Sequence, residues 1–587
     1  MNPFISSLIL AAASALILQF SLIALSYVQR DFRGLMWKQL RHSFGLTFLR
    51  MLKNIYYHLF FLGVIGSAIS GFFMMWYAVD TSGIVIITPF LIFILLFALT
   101  TPVTEKFSIP LEKMRRDISG TPTLKISSTR LNEEHQIFER AFKEVYRLLE
   151  LNLSEPIGLI KSRFATPGPK YPSAYLWDSA FISGIWRVWD NKIAQDIMKP
   201  FLDTQLEDGF CTQTIPLGLT INKNITNPPL IAWAFCESAS MTGDFTFLRQ
   251  YYDRLKKFNE YLYSERKNGE LFCWKHSYES GIDNSPRFTD RSESEHYDIK
   301  NLWAVDLNSW IMLHHESMIK IAEALGYRED VDEFRARNEA LKKSINRYLW
   351  NEEAGYYFDY NLNDKCQIKI PTIVSFFPML VGCTDRAKDE MLMQHIRAED
   401  EFGTLVPFPS VSRNHETFLK DMWRGPVWMN TAYAGIQSLK KIGEDSLASH
   451  LSYRLFKAVA YTHENCGSIY EFYDVDRYDL EELSRKKGNF WKQVTLGSKP
   501  VKKFVGWTGL VNTMLIENVL GYRRRGGKTS VFPHLPDSFR NATVTLTVPQ
   551  FKETLELSYK GEIIEGKLTG PDGDVREFSG NNHQKMI

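Results

Sequence analysis

One polar loop carries the richest set of reactive side chains in this sequence. Residues 279–288 read ESGIDNSPRF, and Gly281 and Pro286 mark the stretch as a loop rather than a core element. Asp283 lies there beside an amide, a hydroxyl and a guanidinium group, from Asn284, Ser285 and Arg287. Such a set suits acid–base chemistry. A surface turn in which Asp283 caps a helix is the structural alternative.

Other loop segments pair aromatic residues with polar or charged ones: Trp177-Asp178, Trp303 near Asp306, Trp423-Arg424, Tyr470-Glu471, and Trp507 after Gly506. Each has a structural alternative, because a Trp before a helix often packs in the core and Asp178 could be an N-cap. Arg424 could form an ion pair, and Glu471 could be a buried structural carboxylate. The recurrence of such pairs along one chain indicates a ligand dense in hydroxyl groups, a carbohydrate.

Glycoside hydrolysis needs two carboxyl groups, one protonated to assist the leaving group and one ionised. Asp283 and Glu471 are the candidates, although they lie on separate loops far apart in the sequence. If the helices curl into a ring, the two side chains can face each other across a pocket. In an inverting enzyme they would be roughly 6.5–9.5 Å apart, which leaves room for the attacking water.

The elements that must position these loops are mostly helices. From residue 131 to 523 the apolar residues recur at helical spacing, as in EEHQIFERAFKEVYRLLELN, and long polar loops separate the segments. This pattern predicts paired helices with functional loops at one end. From residue 524 the segments ATVTLTV, TLELSYK and IIEGKLT alternate apolar and polar residues, with a Pro-Asp-Gly turn at 571–573. They predict a small β domain over 524–587.

The N-terminal residues 1–104 read as a membrane anchor. Three apolar stretches, about 4–28, 59–79 and 84–103, each have roughly the 20 residues that span a bilayer. The first lacks the basic start of a signal peptide. Lys and Arg lie after the first and third stretches, so the positive-inside rule predicts an integral, multi-pass protein with a cytoplasmic soluble domain. Residues 105–130 are predicted to be a linker.

Composition narrows the range of partners. The net charge of +2 gives no electrostatic case for nucleic acid. The six Cys residues form no CxxC pair, which predicts neither a zinc site nor a disulfide framework. We therefore expect no metal and no cofactor. The expected partners are a carbohydrate substrate and a lipid membrane, and the oligomeric state is open.

The motifs together resemble glycoside hydrolase family 63 and its relatives, the processing α-glucosidases, the mannosylglycerate hydrolases and, more distantly, the trehalases. The resemblance covers about residues 170–510. It rests on WDS at 177–179, NPP at 227–229, GIDNSPR at 281–287, VDLN at 305–308, MWRGPVW at 422–428, Tyr470-Glu471 and Gly506-Trp507. It implies a mainly α fold, an (α/α)6 toroid, followed by a small β domain.

By this resemblance, Asp283 matches the family's general acid, and Glu471 matches the general base that activates water with inversion. The resemblance also implies positions that bind the sugar: Trp177, Asp178, Arg287, Trp423, Arg424 and Trp507. Ile282 stands where many members have Met or Trp. The three-span anchor is not part of the family pattern.

The sequence therefore predicts a membrane-anchored, inverting glycosidase that cleaves an α-linked glucosyl or mannosyl substrate. The main alternative is a catalytically inactive glycan sensor on the same toroid, which need not keep both carboxylates. A phosphorylase would need a basic phosphate pocket where Glu471 stands. A membrane scaffold that binds a partner protein would not explain the sugar-site motifs.

Overall fold

A computed structural model of the chain describes residues 118–128, 132–156, 160–171, 173–215, 225–289, 298–485 and 496–587. The chain divides into two compact units. All of the architecture below belongs to the unit made of Ser119–Glu155, Ser162–Ile215 and Ile221–Ile587. The other unit is Met1–Ile118, Pro156–Lys161 and Pro216–Thr220, and it lies almost entirely outside the described residues.

Helices dominate the described part of the chain. In chain order they are α1 (Glu133–Asn152), α2 (Leu176–Trp189), α3 (Asn191–Asp203), α4 (Ile231–Thr242), α5 (Tyr252–Glu265), α6 (Val305–Leu325), α7 (Arg328–Tyr348), α8 (Phe377–Leu380), α9 (Arg386–Arg397), α10 (Met429–Lys441), α11 (Asp445–Cys466) and α12 (Leu510–Met514). A π-helical turn, Leu515–Val519, continues α12.

The even-numbered helices form a closed inner ring. Helix α2 packs on α4, α4 on α6, α6 on α8, α8 on α10, α10 on α12, and α12 returns to α2. Their sequences explain this place: every residue of α2 is buried, and most residues of α6 and α10 are buried too. Helices that are largely buried all round belong in the core of a large domain.

The odd-numbered helices lie outside this ring. Helix α3 packs on α2, α7 on α6 and α11 on α10. Helix α7 buries only Val331, Phe334, Leu341, Ser344 and Ile345, so it shows the single apolar stripe of a surface helix. Helix α1, from the N-terminal end of the domain, packs on α11, near the domain's C-terminal end. The Phe142 carbonyl of α1 accepts a hydrogen bond from Asn512 at 2.9 Å, so α1 completes the outer layer of helices. The described residues thus form an (α/α)6 toroid.

The C-terminal region is a β domain, as its alternating pattern predicts. Strands β2 (Tyr522–Arg525) and β3 (Lys528–Val531) form a hairpin. Strands β4 (Ala542–Val548), β5 (Glu553–Lys560), β6 (Ile563–Thr569) and β7 (Val575–Asn581) form an antiparallel meander. Buried and half-exposed residues alternate along β4, which keeps its apolar side chains on one face.

The same sheet has a fifth strand from the far end of the chain. β1 (Thr123–Ser128) pairs antiparallel with β4, and the strand order is β1-β4-β5-β6-β7. Within the predicted linker 105–130, this described segment is therefore a strand. Two apolar side chains in this polar stretch, Leu124 and Ile126, are buried. They anchor strand β1 to the sheet.

Short elements shape the loops between the helices. The two-residue strands are Leu153–Ser154, Phe164–Ala165, Ala174–Tyr175, Thr214–Ile215, Lys267–Asn268, Leu271–Phe272, Leu302–Trp303, Trp350–Asn351, Tyr356–Tyr357, Tyr360–Asn361 and Cys366–Gln367. The 3₁₀ turns are Thr246–Gln250, Pro286–Phe288, Ile299–Asn301, Ile373–Phe376, Met422–Arg424, Asp537–Phe539 and Pro549–Phe551, and Ser277–Ser280 is one α-helical turn.

In the part of the chain that the structure describes, no helix combines the length and the apolar character that crossing a bilayer would need. The three predicted spans, 4–28, 59–79 and 84–103, lie outside the described residues.

Candidate active site

A cluster of aromatic rings brings the predicted sugar-binding loops together. Trp423 stacks on Trp428 with ring centroids 3.8 Å apart, and Trp428 stacks on Phe472 at 4.6 Å. Trp177, in the first turn of α2, lies 6.1 Å from Trp423 and 5.8 Å from Trp507. Three of the predicted sugar contacts therefore share one aromatic surface, and each comes from a different segment of the chain.

The loop that carries Asp283 lies directly against this cluster. Gly281 has φ +74°, and a Cβ atom there would lie 2.2 Å from the Trp177 ring. Only glycine combines this backbone conformation with such a close approach. Asp283 follows two residues later in a turn and is half-buried. The glycine of the motif thus sets the Asp283 loop against the Trp177 ring.

Asn284 fixes the other side of the loop. Its Oδ1 accepts a hydrogen bond from the Trp423 backbone N–H at 3.0 Å, and its Nδ2 donates to Asp421 Oδ2 at 3.3 Å. The loop that contains Asp283 is therefore tied to the segment that contains Trp423 and Arg424, although the two are far apart in the sequence.

The NPP motif at 227–229 holds the start of the loop that carries Asp283. Asn227 Nδ2 donates to the Glu279 carbonyl at 3.1 Å. The Glu279 side chain is fully buried, pairs with Arg266 at 2.7 Å, and accepts the Thr226 N–H at 3.2 Å. A buried carboxylate needs such partners. These contacts hold the short helical turn that precedes Asp283.

Arg287 lies in a different setting from the one that the sequence predicts for a sugar contact. Its guanidinium pairs with Asp306 and, at 2.9 Å, with Asp359, and the side chain is only 2% exposed. Asp359 also accepts the Val305 N–H at 2.8 Å. Burial, opposed by Arg287 and reinforced by Asp306, raises the pKa of Asp359 to about 6. These contacts join the Asp283 loop to the start of α6.

Glu471 lies in a buried polar niche. Its carboxylate accepts a hydrogen bond from the Tyr171 hydroxyl at 2.7 Å, pairs with the Arg485 guanidinium, and accepts the Val501 N–H at 3.3 Å. The Trp507 indole N–H donates to the backbone carbonyl of the same glutamate at 2.7 Å. Glu471 is therefore held on both its side chain and its backbone, next to the aromatic cluster.

Asp178 shows that both predicted catalytic carboxylates reach one place. Burial, followed by the negative charges of Glu471 and Asp283, raises the pKa of Asp178 well above its usual range. A charge shifts the pKa of another group only at short range, so Glu471 and Asp283 lie near Asp178. Asp178 is in the first turn of α2 but makes no N-cap hydrogen bond, since Tyr175 holds the cap position. The fold thus converges three carboxyl groups on one site.

Arg424 lies in the same aromatic loop. It ends the 3₁₀ turn Met422–Arg424 and is 5% exposed. Burial lowers the pKa of its guanidinium, and the nearby Asp421 carboxylate opposes that effect. The structure therefore places Arg424 in the segment that is tied to the Asp283 loop through Asn284.

Two partners of Glu471 were not predicted from the sequence. Tyr171 lies just before the WDS motif, and Arg485 lies in a mixed-charge run whose composition suggests only a solvated loop. No local pattern identifies either residue, because their role depends on contact with a glutamate elsewhere in the chain. Among the described residues, no three His, Cys, Asp or Glu side chains are arranged to hold a metal ion.

Comparison with known sequences identifies a protein family for this chain. Residues 171–484, more than half of the chain, match the family described as "Mannosylglycerate hydrolase MGH1-like glycoside hydrolase domain". The mannosylglycerate hydrolase of Rubrobacter radiotolerans is 25% identical over 396 residues, which cover 53% of this chain and 88% of that protein.

A probable mannosyl-oligosaccharide glucosidase of Schizosaccharomyces pombe is 24% identical over 426 residues, which cover 60% of this chain. This chain spans only 50% of the length of that relative. Among solved structures, the GH63 mannosylglycerate hydrolase of Thermus thermophilus in complex with Tris and D-glycerate matches with a TM-score of 0.52 and 21% identity. That match covers 63% of this chain and 99% of the other.

The family match contains the loops that carry Asp283, Arg424 and Glu471, and the structural match has the same helical fold. The chain therefore belongs to the mannosylglycerate hydrolase MGH1-like glycoside hydrolase family.

Proposed function

We propose that this protein is an inverting glycosidase in which Asp283 is the general acid and Glu471 is the general base. The observation that carries the proposal is that both carboxylates lie beside the tryptophan cluster, since Gly281 sets the Asp283 loop against Trp177 and the Glu471 carbonyl accepts the Trp507 indole N–H. Two carboxyl groups at a wall of aromatic rings have the composition that glycoside hydrolysis needs.

In this mechanism the Asp283 carboxyl donates its proton to the glycosidic oxygen while the bond from that oxygen to the anomeric carbon breaks. A water oxygen attacks the anomeric carbon from the opposite face, and Glu471 accepts the proton that the water loses. Trp177, Trp423 and Trp507 would bind the apolar faces of the sugar, and Asp178 and Arg424 would bind its hydroxyl groups.

We assign Arg287 a supporting role in place of the predicted sugar contact. Its guanidinium is committed to Asp306 and Asp359, so it stabilises the base of the Asp283 loop.

The proposed substrate is an α-linked glucosyl or mannosyl oligosaccharide or glycoside. The names of the two relatives, a mannosylglycerate hydrolase and a mannosyl-oligosaccharide glucosidase, support these two sugars. An inactive glycan sensor remains the contrasting hypothesis, and it predicts tight sugar binding without turnover.

We also propose that residues 1–104 anchor the enzyme in a membrane and that the catalytic domain faces the cytoplasm. The support is the apolar character of 4–28, 59–79 and 84–103, together with the Lys and Arg residues that follow the first and third of these stretches.

Two conservative variants test the catalytic assignment. Asp283→Asn and Glu471→Gln each remove one ionisable group with little change in volume. We expect each to lower kcat by about 10²–10⁴-fold, the usual contribution of one acid or base. Asp572→Asn and Glu464→Gln, at exposed positions, are the matched controls and should keep full activity. Wild-type turnover in either active-site variant, with an unchanged Tm, would remove that residue from its role.

A further inference from the structure

The surroundings of Glu471 carry an inference that rests on its proposed role as the base. Glu471 and Arg485 are each about 2% exposed, and their side chains form a buried ion pair. Arg485 also lies over the Phe472 ring, 5.3 Å from its centroid. Its backbone N–H donates to the Ser498 carbonyl at 2.9 Å, which fixes the segment that presents the guanidinium.

The charges around Glu471 explain why such a cation is needed. The charges of Glu471 and Asp283 both act on Asp178, so three carboxyl groups lie in one region of the site. Like charges at close range disfavour the ionised state of each group. The charges of both Glu471 and Asp283 act on the Arg485 guanidinium. Their attraction outweighs the effect of burial and raises the pKa of the guanidinium.

Two other cations, Lys170 and Lys502, lie near this site. Lys170 donates to the Leu496 carbonyl at 2.7 Å, and burial, with Arg485 and Lys502 opposing Glu471, lowers its pKa. The hydroxyl of Tyr171 is neutral, since burial and the Glu471 charge raise its pKa. Among the described residues, Arg485 is thus the cation in direct contact with the Glu471 carboxylate.

We propose that Arg485 is a positioning residue that keeps Glu471 ionised and, together with Tyr171, holds its carboxylate in the orientation that accepts a proton from water. Oε2 accepts from Arg485 and from the Val501 N–H, whereas Oε1 accepts from Tyr171 and keeps a second lone pair that can take a proton from water. The base is then ready before substrate binds, and it needs no reorganisation during the reaction.

Arg485→Met removes the charge and keeps the apolar stem, Arg485→Lys keeps a cation, and Tyr171→Phe removes only the hydrogen bond. The substrates are α-D-glucosyl fluoride and α-D-mannosyl fluoride. Fluoride is a good leaving group, so the reaction depends less on the acid and reports mainly on the base. The readout is the acidic limb of the kcat/KM profile, which reports the essential base of the free enzyme.

For Arg485→Met, we expect the acidic limb to move to higher pH by about one unit or more. We also expect kcat to fall at least about tenfold, with KM less affected. Arg485→Lys should move the limb less, and Tyr171→Phe should give a smaller shift in the same direction. A purely structural role would lower Tm or the active fraction and leave the limb in place, and that result would overturn the inference.

The design separates this inference from the proposed function. If Glu471→Gln is inactive while the limb of Arg485→Met is unmoved, only the role of Arg485 fails. If Glu471→Gln keeps wild-type turnover, or if the wild-type chain hydrolyses neither fluoride, both proposals fail. Should Arg485→Met not fold, Arg485→Gln, which also removes the charge, takes its place, and an unmoved acidic limb with wild-type kcat in that variant would overturn the inference.

Discussion

At the scale of single residues, the site brings three carboxyl groups together where a sugar is proposed to bind. The effect is clearest at Asp178, whose pKa is raised by burial and then by the charges of Glu471 and Asp283. Active sites commonly hold such unfavourable groups, and function then limits stability. Substitutions at these positions should therefore change stability and activity in opposite directions.

The first prediction concerns Asp178→Asn. In the wild-type protein the native state keeps the Asp178 proton to higher pH than the unfolded state, so its contribution to stability falls as pH rises above about 4. The side chain in Asp178→Asn has no proton to lose, so the variant does not lose this stability as pH rises. We expect it to be more stable at pH 7 by about 0.5–2 kcal/mol, and the difference should vanish near pH 3.5.

Urea unfolding at several pH values measures this difference, with Asp572→Asn as the exposed control. The variant should also lose activity, since Asp178 is proposed to bind a sugar hydroxyl. A variant that is less stable than wild type at pH 7 would show that the folded state favours the Asp178 charge.

The second prediction concerns Arg287, which lies between Asp306 and Asp359. Arg287→Leu leaves two buried carboxylates without a cation, and removal of one partner from a buried pair typically costs about 3–5 kcal/mol. Arg287→Lys keeps the charge and should cost less. Unfolding free energies check this order. A stable Arg287→Leu protein whose only defect is a raised KM would restore the predicted sugar contact.

At the scale of elements, the site depends on a close contact between a loop and a helix start. Gly281 brings the Asp283 loop against Trp177 at the beginning of α2. Asn284 ties the same loop to the Trp423 segment. Any displacement of this loop moves a proposed catalytic group and a proposed sugar contact together.

The third prediction tests this contact with Gly281→Ala. The new methyl group would meet the Trp177 ring at 2.2–2.6 Å, so the ring or the loop must move. We expect kcat/KM to fall at least about 10²-fold, the effect of a misplacement near 1 Å. Gly326→Ala is the matched control, because Gly326 has φ +88° and nothing within 4 Å.

Both alanine variants carry the strain of a positive φ, so both should lose some stability. The control should nevertheless keep its activity. Equal kcat/KM values in the two variants would mean that the contact with Trp177 does not position the site.

Site loops marked by a short motif could be predicted from the sequence, whereas contacts between distant segments could not. The paired helices and the C-terminal strands follow from apolar periodicity, the closed ring follows from the family resemblance, and the loops of Asp283 and Glu471 follow from their motifs. Strand β1 was predicted as linker, because Leu124 and Ile126 are too few to show a period. The contacts of Arg287 with Asp306 and Asp359, and of Arg485 with Glu471, could not be predicted because the partners lie elsewhere in the chain.

At the scale of the whole molecule, the closed ring explains how loops so far apart in the sequence reach one site. Helix α12 returns to α2, which brings Trp507 beside Trp177. Helix α1 and strand β1 then connect the N-terminal side of the domain to its C-terminal sheet. The proposed anchor precedes this domain in the sequence.

The fourth prediction concerns the side of the membrane that the catalytic domain faces. Cys366 is exposed in the short strand Cys366–Gln367 and Cys466 is partly exposed, whereas Cys211, Cys236, Cys273 and Cys383 are buried. A membrane-impermeant maleimide should therefore label mainly Cys366. In intact spheroplasts that express the full chain, we expect no labelling until the membrane is permeabilised, because the domain is proposed to be cytoplasmic. A Cys366→Ser variant identifies the labelled site. Labelling before permeabilisation would place the domain outside.

The measurement that tests the central claim most directly is the anomer that the enzyme releases first. The full-length chain is incubated with kojibiose, maltose, trehalose, glucosylglycerate and mannosylglycerate, and ¹H NMR follows the anomeric protons before mutarotation. We expect the β-anomer to appear first from an α-linked substrate, since water activated by Glu471 attacks opposite the leaving group. From trehalose the leaving glucose is itself the α-anomer, so inversion there gives α and β in equal amounts. Initial release of the attacked sugar residue as the α-anomer would contradict the roles of Asp283 and Glu471, and tight binding without any turnover would favour the sensor.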